Sequence, residues 1–456
     1  MSSYLELLHK YNVPVPRYTS YPTVPQWKES IDVSAWKTSI AQCGNEAAGN
    51  SGISLYVHLP FCESLCTYCG CTKKITTNHS VENEYISAVI EEWSLYQSLF
   101  KSKPLIKELH LGGGTPTFFS AEHLAFLIDS LLKDCTVHED AVFSIEGHPN
   151  NTTEAQLQTL YHRGFKRVSY GVQDNNREVQ RIINRIQPYE NVQRAVETAR
   201  RIGYTSVNFD LIYGLPKQTL TFIRQTIQEC IALKPDRVAF YSYAHVPWTS
   251  KGQRLFDEND LPSVEEKMQL YVEGRKLFLQ HGYEDAGMDH FALPTDELIK
   301  AKHSGALHRN FMGYTIANTQ TLIGLGMSSI SDLGTAYAQN VKTLHEYYTL
   351  ISEGKLPVVK GCFLSEEDKS FKQYILNISC KGTTGFNKID EPVLKQYVFP
   401  ELKKLEADGL INWDENKLQV TKTGRNFIRN ICAAFDLYLQ KKKTDISAKP
   451  MYSKAI

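Results

Sequence analysis

Neither sign of charge is in excess in this sequence, whose 456 residues carry 50 Lys and Arg against 50 Asp and Glu. That balance argues against a broad surface for nucleic acid or anionic lipid and leaves room only for a local patch. From Met1-Ser2-Ser3-Tyr4-Leu5-Glu6 onward there is no basic region followed by an apolar run, so no secretory signal is expected. No apolar run approaches the roughly eighteen residues of a membrane span. Low-complexity stretches are lacking as well, and only the tail beyond Lys441 reads as frayed. Six of the ten cysteines (Cys43, Cys135, Cys230, Cys362, Cys380, Cys432) have no paired spacing. They read as free thiols in a reducing cytoplasm, not as a disulfide framework. With 42% hydrophobic residues the chain can bury a large core, as one big domain with a smaller one beside it.

The other four cysteines are crowded together. Cys62, Cys66 and Cys69 have the spacing C-x3-C-x2-C, and Cys71 follows at C-x-C. Ile53 to His58 reads as a buried strand, which puts these cysteines on the loop at its C-terminal end. A structural zinc site normally takes four ligands from two separate knuckles, and no second knuckle lies downstream. Three thiolates on one loop suit an iron–sulfur cube instead, with one iron left open to a further ligand.

From Ile53 onward strand and helix alternate. The strands are expected over 53–58, 106–111, 142–146, 167–173, 206–212 and 237–243. Ser80 is the expected N-cap of the helix after the cysteines, and Thr153 with Gln156 forms an expected capping box. The phrases Arg163-Gly164-Phe165, Ile202-Gly203-Tyr204 and His281-Gly282-Tyr283 each close a helix and open a strand, a weak repeat of βα units. Six such units predict an α/β fold, an open three-quarter (β/α)6 barrel. Its strand ends carry Tyr56 and His58, Gly112-Gly113-Gly114-Thr115-Pro116-Thr117, Glu146, Gln173, Asp210, and Tyr243-Ala244-His245. Barrel active sites lie at that face, so one shared site is expected there. The glycine run reads either as a tight turn or as backbone that a ligand approaches closely.

The flanks differ in character. Residues 1–45 are aromatic and proline-rich, an extended arm that either straps the surface or covers the active site. Residues 46–360 hold the barrel and an extension whose loop-like stretches mix His, Arg and aromatics, as an anionic aromatic ligand would require. Residues 361–456 turn to amphipathic helices with a hairpin, a winged-helix-like pattern. No basic recognition helix accompanies it, so a lid is expected rather than a DNA reader.

The cysteine motif resembles the radical S-adenosylmethionine signature, and the chain as a whole resembles the oxygen-independent coproporphyrinogen III oxidases of that superfamily. The phrases that carry the likeness include Arg17-Tyr18-Thr19-Ser20-Tyr21-Pro22-Thr23, Tyr56-Val57-His58-Leu59-Pro60-Phe61-Cys62 and Gly171-Val172-Gln173-Asp174. Further on stand Asp210-Leu211-Ile212-Tyr213-Gly214, Gly287-Met288-Asp289-His290-Phe291, His308-Arg309-Asn310-Phe311 and Arg429-Asn430-Ile431-Cys432. The resemblance implies a [4Fe-4S] cluster on Cys62, Cys66 and Cys69, with Cys71 needed for activity but not a ligand. It implies a first S-adenosylmethionine on Tyr56, Gly113 and Glu146 beside Ile330, and a second on Gly114, Thr115, Gln173, Arg185, Asp210 and Ala244.

The implied reaction is oxidative decarboxylation of two propionates of coproporphyrinogen III to vinyl groups by a 5′-deoxyadenosyl radical, giving protoporphyrinogen IX for heme. A low-potential donor such as flavodoxin or ferredoxin would supply electrons to a cytoplasmic monomer. Where that family commonly has Glu-x-Asp-Pro, this chain has Glu146-Gly147-His148-Pro149, which changes the charge beside the site. A related heme chaperone is the alternative. That group commonly lacks the arm and replaces the last cysteine of C-x-C with an aromatic residue; here Cys71 and Arg17 to Thr23 are present.

Overall fold

Six parallel strands follow one another across the sheet: β1 (Ile53–Leu59), β2 (Leu105–Gly113), β3 (Thr136–Gly147), β4 (Phe165–Gln173), β5 (Ser206–Tyr213) and β6 (Arg237–Ser242). These are the six expected βα units, in a computed structural model that describes residues 4–47, 51–248, 250–317, 319–442 and 452–455. Along each strand the outward residues are apolar and buried under helices, for example Leu55 and Val57, Leu109 and Leu111, and Val207 and Phe209. The alternate residues are polar and line a cavity inside the curved sheet, among them Glu108, His110, Glu146, Ser169, Asn208 and Asp210. A period of two therefore sorts a greasy outside from a wet inside.

The sheet does not close. Beyond β6 lie β7 (Glu284–Gly287) and β8 (His290–Ala292), with β8 antiparallel to both. On the other edge β9 (Thr321–Leu325) pairs in parallel with β1, and β10 (Ile330–Asp332), β11 (Ala336–Asn340) and β12 (Val358–Phe363) continue antiparallel. Stretches that read as loops in sequence are thus sheet. Their alternation is hidden because β9 and β11 are buried on both faces.

Local signals hold in part. Thr153 and Gln156 make the expected capping box, and Gly203 takes the left-handed C-cap at φ +116°. Ser80 does not cap: it is helical, its side chain makes no cap bond, and its N–H goes to Asn78 Oδ1 at 3.1 Å. In the same helix, Val81–Gln97, Glu92 is fully buried and ties the helix to the β9–β10 connection. It accepts from Gly326 N at 2.7 Å, Tyr347 Oη at 2.7 Å and Asn340 Nδ2 at 2.7 Å. Burial raises its carboxyl to about 7 against those three donors. The native state then binds the extra proton between the unfolded carboxyl range and pH 7, so stability from this group falls as pH rises through that window. Glu92→Leu would strand three buried donors and is expected to cost about 3 kcal/mol. Glu92→Gln should flatten the pH dependence between 4.5 and 7; urea midpoints across that range check both.

The C-terminal region pairs helices Glu366–Lys381 and Phe399–Ala407 with a three-stranded antiparallel sheet, in keeping with the helix-and-hairpin pattern. The N-terminal arm is woven into it, and it is extended only in part: its prolines lie between helix Tyr4–Tyr11 and helix Val33–Ala47, where they break the helix but do not prevent one on either side. Leu7, Leu8, Tyr18, Tyr21 and Trp27 are buried; Tyr18 Oη donates to Asp436 at 3.0 Å, and Lys10 and Tyr11 share Asp408 at 2.6 and 2.5 Å. The tail, which reads as frayed, comes back at 452–455 to pair with the arm through Pro14 and Lys454; residues 443–451 lie outside the described part.

Candidate active site

The cysteine loop leaves β1 at Pro60 and is clipped at its base. Phe61–Cys62 pairs with Lys74–Ile75, Thr115 N donates to Phe61 O at 3.0 Å, and Gly114 N to Leu59 O at 2.9 Å. Only glycine fits at 114, where a Cβ would lie 2.5 Å from Pro60 O and 3.1 Å from Cys62 Sγ. The loop's outer side is held by neighbouring loops. Asn184 Nδ2 donates to Leu65 O (2.7 Å), Gln253 Nε2 to Tyr68 O (3.0 Å) and Ser250 Oγ to Cys69 O (3.1 Å).

Donors also reach the thiols themselves. Thr115 Oγ1 stands 3.3 Å from Cys62 Sγ, and Arg185 Nη1 stands 3.6 Å from Cys66 Sγ. A hydrogen bond from Cys71 brings the Cys69 thiol down to about 6 against burial, whereas burial pushes Cys62 up to about 11. Among the described residues no three His, Cys, Asp or Glu side chains converge on one point, as a single ion requires. A cube spreads its thiolates over different irons, and hydrogen bonds to sulfur are what such clusters use. Beside Gly70 the space is open, with nothing within 4 Å of a built Cβ. The donor set fits an iron–sulfur cluster.

Below the loop the strand ends bring Tyr56, Gly113 and Glu146 together. His58 Nε2 donates to Thr72 O at 2.9 Å, so its Nδ1 is the acceptor and Tyr56 Oη donates to it at 3.1 Å. Tyr56 stacks on His110 with centroids 5.9 Å apart. Glu146 accepts from Gly113 N at 3.1 Å and stands 3.3 Å from His110 Nε2. Burial pushes its carboxyl up, but His110, the Gly113 N–H and His58 outweigh it, and the net shift is downward. Glu146 is therefore an ionised acceptor in a recessed site, suited to an ammonium or a ribose hydroxyl.

The other predicted positions surround this centre. Gln173 is held at φ +67°, and Arg185 Nη2 donates to Gly171 O at 2.5 Å. Asp210 accepts from Ser169 Oγ and Asn208 Nδ2, both at 3.1 Å, and burial with Glu146 nearby raises its carboxyl to about 7. Ala244 O accepts from Gln253 Nε2, the same amide that holds Tyr68. Ile330 lies further out. Its backbone covers Gly324, the register partner of Tyr56, and its side chain packs with Trp27 and Tyr337. Cys71 lies beside Cys69 at the rim. His148 keeps a turn an aspartate would make: its Nδ1 accepts from Asn150 N at 3.2 Å, and burial with Arg185 nearby holds the ring neutral, down to about 3. Sequence reading does not single out His110, Ser144 or Asn208. Their signal is a polar residue at every second position of an otherwise apolar strand.

A family model for the radical SAM superfamily matches residues 56–230. The chain is 39% identical over 444 residues to an oxygen-independent coproporphyrinogen III oxidase of Escherichia coli, covering 96% of each. It is 38% identical over 461 residues to the enzyme of that name from Synechocystis, covering 99% of this chain and 97% of the relative. A solved structure, "Coproporphyrinogen III oxidase (HemN) from Escherichia coli is a Radical SAM enzyme", superposes with a TM-score of 0.87 at 38% identity, over 95% of this chain and 98% of that one.

Proposed function

The chain belongs to the oxygen-independent coproporphyrinogen III oxidases of the radical SAM superfamily, and we propose that it turns two propionate side chains of coproporphyrinogen III into vinyl groups, giving protoporphyrinogen IX. The full-length match carries this reading, because it takes in the arm and the C-terminal region, which lie outside the superfamily match at 56–230. When bound, the cluster and S-adenosylmethionine supply a 5′-deoxyadenosyl radical that removes hydrogen from the β-carbon of a propionate.

The chain's own part is to hold and to exclude. Cys62, Cys66 and Cys69 hold the cluster, and Cys71 at the rim serves turnover without ligation. Tyr56, Gly113 and ionised Glu146 orient one S-adenosylmethionine, with Ile330 on its adenine side. A second would meet Gly114, Thr115, Gln173, Arg185, Asp210 and Ala244; the hydrogen bonds that tie Arg185 and Thr115 to the cysteine loop support a contact region there. Ser250 and Gln253, which hold the outer side of the loop, help to keep water from the reacting centre. No helix among the described residues is long and apolar enough to cross a membrane. Electrons come from a low-potential donor such as flavodoxin or ferredoxin, and the enzyme works as a monomer.

Anaerobic incubation with coproporphyrinogen III, S-adenosylmethionine and a reductant tests the reading. Protoporphyrinogen IX should form with one methionine and one 5′-deoxyadenosine released per vinyl group. Glu146→Ala should slow cofactor cleavage about a hundredfold, since loss of orientation by an ångström costs that much. Tight heme binding without substrate-dependent 5′-deoxyadenosine, from cluster-loaded protein, would instead mark a heme chaperone.

A further inference from the structure

Three guanidiniums lie close enough to His290, on the wall of the barrel cavity, to act on its ring, and among the described residues only two of them pair with a carboxylate. Arg17 pairs with Asp289 at 3.2 Å, and Arg237 with Asp296 at 2.7 Å. Arg309, on the strand His308–Asn310, is 7% exposed and has no ion-pair partner among the described residues. Its Nε and Nη1 are buried without a hydrogen bond. Its Cζ stands 4.7 Å from the centre of the Tyr314 ring, and a ring face offsets only part of what a buried cation loses on leaving water.

His290, on β8, is the second unsatisfied group. Its Nδ1 is buried with no partner, and its ring is wedged edge-on between Tyr241 (5.7 Å) and Tyr314 (5.3 Å). Burial and the three guanidiniums hold this ring neutral, with its titration down to about 3. A neutral imidazole can offer one N–H to an anion without adding another charge. The cavity that His290, Tyr241 and Tyr314 line is about 160 Å³, and Glu146 and Asp210 line it as well. That space admits a carboxylate on a short arm but not a macrocycle.

We propose that Arg309, stacked on Tyr314, and His290 form a carboxylate subsite at the part of the cavity wall made by His290 and Tyr314, which takes a propionate arm of the porphyrinogen while the ring system stays outside. The proposal rests on the function given above. The other source of the same chemistry is the carboxylate of S-adenosylmethionine. A guanidinium with two unpartnered nitrogens and a nearby imidazole N–H suits a carboxylate in charge and hydrogen bonding. Binding at this point would hold one arm and so fix which propionate meets the reacting centre.

The test uses cluster-loaded protein with coproporphyrin III, a tetracarboxylate, and mesoporphyrin IX, a dicarboxylate, titrated by fluorescence. R309M should weaken coproporphyrin III at least about tenfold, as loss of one charge-assisted contact does. The unliganded variant should melt no lower than the parent, because an unpaired buried charge has been removed. A lower Tm with unchanged coproporphyrin affinity would make Arg309 a structural cation and overturn the proposal. Weaker S-adenosylmethionine binding in equilibrium dialysis, with coproporphyrin unaffected, would give the subsite to the cofactor and overturn the substrate assignment. If R309M is insoluble, R309K keeps the charge and loses the fork, and it should still weaken coproporphyrin severalfold; unchanged affinity there counts against the subsite. Parent protein that binds coproporphyrin III through Arg309 yet forms no protoporphyrinogen would leave the subsite standing and remove the functional reading.

Discussion

Serine in place of Cys62, Cys66 or Cys69 is expected to abolish the visible absorption of the reconstituted cluster and its low-temperature paramagnetic signal after reduction. Activity should fall to background in all three variants. The three residues sit on one loop clipped at Pro60, Phe61 and Cys62, which fixes the placement of their backbone. Thr115 and Arg185, the donors aimed at Cys62 and Cys66, cannot bind iron in a cysteine's stead. Cys71→Ser should behave differently, retaining iron while turnover is lost. Full iron in Cys66→Ser would sink the ligand assignment, and iron loss in Cys71→Ser would make that residue a ligand.

Removing residues 1–30 is expected to leave no cooperatively folded protein. The arm buries Leu7, Leu8, Val15, Tyr18, Tyr21 and Trp27 against the barrel and the C-terminal helices. Burial of such side chains contributes about 2 kcal/mol each, so their loss rivals a whole stability of about 5–15 kcal/mol. The truncation also strands Asp408, which Lys10 and Tyr11 share, and the Arg429 guanidinium, which donates to the Val15 and Pro16 carbonyls. Soluble yield and the circular-dichroism melt of the truncated chain are the measurements. A soluble truncation that melts cooperatively and still binds cluster and S-adenosylmethionine would make the arm a cover and nothing more. The same arm carries Arg17 to the end of β6, where it donates to Ser242 O at 3.0 Å, so strapping and covering are two effects of one segment.

The six barrel strands, the cysteine loop, the Thr153–Gln156 cap and the αL glycine at 203 were legible in sequence because each depends on residues a few positions apart. Ser80 shows the limit of such signals: a favourable cap residue loses its place when Asn78 takes its N–H. The extension from β7 to β12 was illegible for a different reason. Strands of three to six residues, several buried on both faces, carry no alternation to read.

Likewise, the polar residues at alternate strand positions can be noticed in sequence, but not that His110, three strands from Asp210 along the sheet order, clamps Glu146. By itself, then, the sequence determined the crowded cysteine motif, the βα repeat and the strand ends at which the polar residues gather, all short-range patterns of spacing and period. The tertiary structure alone decided that Glu146 is ionised and Asp210 is held near 7, since those states depend on burial and on charges from other strands. It also decided that Arg17 finds Asp289 across 272 residues while Arg309 finds no carboxylate among the described residues. Pairing at that separation follows from how the sheet curls and the arm returns, and no local pattern of residues encodes it.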